Sequence, residues 1–80
     1  MLTLYDFQTL NDNEKAEAVW QGSFLGDRQE NGQMIQLYSL ASFYVEVSYS
    51  PTDNRITGFE AFTNTQRLVP YLAQIKFSSR

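Results

Sequence analysis

Two glutamates, Glu46 and Glu60, are the residues whose types and spacing come closest to chemistry, because a pair of carboxylates on neighbouring strands can divide acid and base work between them. Around them the inventory is short. The chain holds no cysteine and no histidine, which removes thiol nucleophiles, imidazole bases and the usual zinc ligands. The segments 26–32, GDRQENG, and 51–54, PTDN, carry oxygen donors, but neither has the spacing of a calcium loop, and turns require Asp, Asn and Gly for their own reasons. Gly22, Gly26, Gly32 and Gly58 are too dispersed for a phosphate-binding loop. Two solvated sheet charges are the simpler reading of the glutamates. No catalytic, metal or cofactor site is expected, and the chain is read as non-enzymatic.

Those residues must be positioned by a small fold. Eighty residues make one domain, 1–80, near the size where surface burial limits stability. Hydrophobic residues at 42%, aromatics at 15% and charged residues at 19% describe a globular chain rather than a disordered one. Nine acids against six scattered bases, a formal charge of −3, argue against duplex nucleic acid, whose phosphates demand clustered Lys and Arg. The first residues lack the pattern of a signal peptide and no apolar run reaches membrane-spanning length, so a soluble, cytoplasmic protein is expected, with no membrane partner.

Along the chain, 11–21 reads as a helix. Asn11 and Glu14 have capping spacing, Ala16, Val19 and Trp20 share a face expected to be core, and Gly22 suits a left-handed stop. A further helical turn from Thr3, with Asp6 as capping partner, fits Leu4, Phe7 and Leu10. Strands are expected at about 23–30, 33–39, 43–50 and 55–63, joined by an Asn31-Gly32 hairpin turn, a loop at 40–42 and a turn at 50–55. Pro70 belongs in the first turn of a helix over 70–75, with 65–69 forming a separate turn.

The expected fold is therefore α+β: a four-stranded antiparallel β-meander with an N-terminal helical segment and a short C-terminal helix packed on one sheet face. A half-open barrel around the first helix is the alternative. With a three-residue loop at 40–42, Leu37 falls opposite Val45 and Ile35 opposite Val47. One face then collects Phe24, Ile35, Leu37, Phe43, Val45, Val47 and Tyr49, and the helices cover it. The other receives Leu25, Met34, Gln36, Tyr38, Tyr44, Glu46 and Ser48, with either Phe59 or Phe62 depending on a bulge at Gly58.

A sheet face rich in Tyr and Met yet open to solvent has the composition of an interface. The functional expectation is a protein-interaction domain that pairs with a second copy, as a homodimer, or with another protein. Its interface residues would be Leu25, Met34, Tyr38, Tyr44 and Glu46. The competing expectation is a small-molecule binder or small enzyme with a pocket between helix and sheet, using Glu60, Arg28 or Tyr49 as polar contacts.

Overall fold

A computed structural model describes residues 2–72. Helices α1 (Leu4–Gln8) and α2 (Asp12–Trp20) precede strands β1 (Ser23–Glu30), β2 (Gln33–Ser39), β3 (Tyr44–Ser50) and β4 (Arg55–Phe62), and a 3-10 helix (Thr65–Tyr71) follows. The strands form an open antiparallel sheet in the order β1-β2-β3-β4. The class is α+β, and the sheet does not close into a barrel.

Both N-terminal helices begin where their caps are written. The Thr3 hydroxyl accepts from the Asp6 N–H at 3.1 Å while Asp6 accepts from the Thr3 N–H at 3.2 Å. Asn11 and Glu14 make the same reciprocal pair, at 2.8 and 3.0 Å. Each box satisfies N–H groups that the first helical turn leaves without an intrahelical acceptor. Gly22 follows α2 for a reason other than the expected left-handed stop: its φ is not positive. A Cβ there would stand 2.6 Å from the Ser39 carbonyl oxygen, so glycine is needed because the chain passes directly over the end of β2.

The Asn31-Gly32 turn forms as expected, with φ of 55° and 79°. It sets Arg28 opposite Ile35 and Gly26 opposite Leu37. A bulge between Phe24 and Gly26 then brings Phe24 opposite Tyr38. The next connection departs from expectation. Residues 40–43 form a four-residue loop closed by the Leu40 N–H donating to the Phe43 carbonyl at 2.8 Å, so Ser39 pairs with Tyr44, Tyr38 with Val45 and Leu37 with Glu46. One extra loop residue slips the register by one, and a one-residue slip sends every side chain of β2 to the opposite face relative to β3.

The sheet is consequently covered on both sides. On one side Phe7 and Val19 pack onto Phe43, Val45 and Val47, with Phe59 and Tyr38 beside them. On the other, Leu68 and Tyr71 of the 3-10 helix pack onto Leu37 and Phe62, flanked by Leu25 and Tyr44. The helical segments therefore take opposite faces instead of sharing one. A register shift between Ser48 and Tyr49 in the β3/β4 pairing settles the two phenylalanines of β4: Phe59 lies opposite Val47 on the α-helical side, and Phe62 opposite Tyr44 under the 3-10 helix.

The C-terminal segment also differs. The 3-10 helix runs through 65–71, with Asn64 accepting from the Gln66 N–H at 2.9 Å and Pro70 inside it. So short a helix tolerates the missing proline donor, because few of its N–H groups have an intrahelical acceptor. Residues 65–69 are thus part of the same helix as Pro70, and the remainder of the helix expected over 70–75 lies outside the described residues.

Candidate binding cleft and the buried glutamate

The slipped register divides the five residues expected to form one interface. Leu25, Tyr44 and Glu46 lie beneath the 3-10 helix, while Met34 and Tyr38 stand on the α-helical side. Tyr44 stacks on Phe62 with ring centroids 5.6 Å apart and planes at 27°. Tyr38 instead meets Phe24 edge to face at 5.6 Å.

Glu46 is only 6% exposed. A carboxylate so placed is costly unless its oxygens are hydrogen-bonded and its charge is paired, and here both conditions are met. The Tyr71 hydroxyl donates to Oε2 at 2.6 Å, Arg28 Nη2 donates to the same oxygen at 3.3 Å, and Arg67 Nη2 donates to Oε1 at 2.8 Å. The network extends outward: Arg67 Nη1 reaches Glu60 at 3.1 Å, Arg28 Nη1 pairs with Glu30, and Arg28 Nε donates to the Tyr71 oxygen at 3.2 Å. Among the described residues no buried side-chain polar atom lacks a partner.

Glu46 and Glu60 are indeed cross-strand neighbours, and Arg67 bridges both. The protonation energetics follow. Burial, followed by the charge and hydrogen bond of Glu46, pushes the Tyr71 phenol well above its ordinary range. The hydrogen bond to Glu30 holds the Arg28 guanidinium cationic against desolvation. For Arg67 desolvation acts in the opposite direction, but the bonds and charges of Glu60 and Glu46 prevail and raise it. The phenol therefore stays neutral and the two guanidinium groups stay cationic. Their arrangement fastens the 3-10 helix to the sheet.

The other face offers a cleft. Residue 20 follows the fully buried Val19, and one helical step of about 100° carries the indole out of the core, leaving Trp20 63% exposed. The expected core position for this residue is thereby corrected. Beneath the indole lies a cavity of about 160 Å³ whose walls include Gln36, Tyr38, Tyr49 and Phe59 and whose floor includes Val47 and Ile56. The Tyr38 hydroxyl donates to Gln36 Oε1 at 3.3 Å, and the Tyr49 hydroxyl donates to Asn54 Oδ1. A second hollow of about 290 Å³ is also bounded by Trp20 and reaches Asp12 and Asn13. A wider concavity of about 400 Å³ near Leu2 and Gly22 has neither an aromatic nor a charged wall.

Of the polar contacts expected for a pocket between helix and sheet, only Tyr49 lines the cleft; Arg28 and Glu60 belong to the opposite face. Sequence reasoning missed Trp20 as a surface residue. The signal was faint: Val19 and Trp20 are adjacent and apolar, and only one of two residues so placed can point straight at the sheet.

Among the described residues no group of three metal-binding side chains occurs, and no helix is long and apolar enough to cross a membrane. No protein-family model, curated protein or solved structure matches the chain.

Proposed function

We propose that this chain is a non-enzymatic interaction domain of the cytoplasm that binds another protein through the cleft beside Trp20. The observation that carries the reading is the 63% exposed indole standing over an apolar hollow. Large aromatic residues at the rim of a preformed cavity are the usual anchors of protein interfaces, and tryptophan is the most enriched of them. Tyr38 and Tyr49 supply rings whose hydroxyls are already engaged, so a ligand entering between them meets apolar surface. A cysteine-free composition suits a reducing compartment.

Leu25, Tyr44 and Glu46 of the interface first expected lie under the 3-10 helix. Self-association through that face would require the helix and its glutamate lock to leave, whereas the Trp20 cleft requires no such rearrangement.

The test is affinity capture with wild-type protein and Trp20→Ala, followed by binding measurements on the purified captured protein. Loss of a central anchor is expected to weaken binding about 30-fold or more, the factor equivalent to roughly 2 kcal/mol. Equal binding by the two forms refutes the reading.

A further inference from the structure

We infer that the Trp20 cleft receives a quaternary ammonium group. The inference rests on the same cleft as the reading above and adds the chemistry of what enters it. Four of the side chains that bound the cavity are aromatic: Trp20, Tyr38, Tyr49 and Phe59. Four rings around a small cavity have the composition of an aromatic cage, in which the negative faces of the π systems attract a cation that carries little hydration. An alkylated ammonium meets both demands, because its methyl groups fill apolar space and its charge is spread over them.

Three further observations favour a cation over a neutral apolar group. First, the chain makes three cation–π contacts of its own, Lys15 with Phe7, Arg28 with Tyr71 and Arg67 with Phe62. None of them uses the four cleft rings, so among the described residues these rings carry no internal cation. Second, the adjoining hollow shares Trp20, Ile56 and Phe59 with the cavity and is bounded by Asp12, which makes no ion pair among the described residues. An anion beside an aromatic cage favours a bound cation. Third, the domain is acidic, with a formal charge of −3, which attracts cationic ligands at long range.

The same chemistry is carried by free choline-like solutes and by trimethylated lysine on a partner protein, and the experiment separates them. Choline chloride, N-acetyl-trimethyllysine amide and the neutral isostere 3,3-dimethylbutan-1-ol are titrated into the full chain. Trp20 fluorescence and saturation-transfer NMR on the ligand methyl groups are read together. The expected result is saturable binding of the cations, at least about threefold tighter than the isostere. Asp12→Asn should weaken the cations and leave the isostere unchanged, and Trp20→Ala should abolish binding while circular dichroism confirms the fold.

A tighter trimethyllysine compound assigns the ligand to a partner side chain; choline of equal or greater affinity assigns it to a free solute. Equal affinity for cation and isostere reduces the site to a plain apolar pocket and overturns the proposal, as does the absence of a saturable signal from any probe. Either failure leaves the protein-binding reading to its own test, since a captured partner can depend on Trp20 without any preference for charge.

Discussion

Removing the carboxylate of Glu46 tests whether the 3-10 helix is held by the buried network. Glu46→Ala takes away one acceptor shared by three donors. The Tyr71 hydroxyl is fully buried, and a buried donor left without an acceptor costs roughly 1–3 kcal/mol. The two arginines lose less, because their side chains are 26% and 36% exposed and they keep Glu30 and Glu60. Pairs of that kind contribute about 0–1 kcal/mol each. The sum is about 1–5 kcal/mol, against a total stability on the order of 4–12 kcal/mol for a domain of this length.

Tyr71→Phe alone should cost about 1–2 kcal/mol, since Glu46 keeps both guanidinium groups. In the Glu46→Ala background the hydroxyl still accepts from Arg28 Nε but has nothing to donate to; loss of that bond and relief of the unpaired buried donor offset one another, so its removal there should cost close to nothing. The double-mutant cycle should therefore show a coupling of about 1–2 kcal/mol, well above the ~0.3–0.5 kcal/mol scatter of independent sites. Urea unfolding followed by far-ultraviolet circular dichroism is the suitable assay, because Trp20 is the only tryptophan and its exposure makes it a poor reporter of folding. Additive losses, or a Glu46→Ala cost below about 0.5 kcal/mol, would show that the network does not hold the helix.

Alkaline pH should act through Tyr71. Its folded phenol titrates above the unfolded value near 10, so its contribution is complete below about pH 10 and is lost as pH rises through the higher folded value; urea midpoints should fall over that range in wild type and fall less in Tyr71→Phe. Gly22→Ala should destabilise by roughly 1–3 kcal/mol because its Cβ meets the Ser39 carbonyl, whereas Gly58→Ala enters open space and should change stability by less than about 0.5 kcal/mol, both measured by urea unfolding. Tyr44→Ser should lower the thermal midpoint more than Tyr38→Ser, since Tyr44 packs under the 3-10 helix against Phe62 while Tyr38 borders the cleft; the reverse order would contradict the observed register. Trp20→Ala should cost at most about 1 kcal/mol by urea unfolding, in keeping with its exposure, while removing binding.

Features encoded within four or five residues were legible in the sequence. Thr3 with Asp6 and Asn11 with Glu14 announce two helix starts, because a cap is a contact between residues three apart. Asn31-Gly32 announces its hairpin, because both positions need positive φ. Together they made the meander readable, and with it the pairing of Arg28 with Ile35.

Which face each strand presents was a different kind of question. It depended on whether the loop after Ser39 holds three residues or four, a choice that both sides of the molecule decide together. Leu37 and Phe62 need Leu68 and Tyr71 above them, and Val45 and Val47 need Phe7 and Val19. Glu46 illustrates the point most sharply. In sequence it is a charge among strand residues and reads as solvated; in the fold it is buried, because Arg28, Arg67 and Tyr71 converge on it from 18 to 25 positions away. Trp20 is the converse case, apolar in type but carried to the surface by the rotation of α2 on the sheet. Local hydrogen bonding determined the elements, while their faces, the lock and the cleft were decided only when the two apolar layers closed on the sheet from opposite sides.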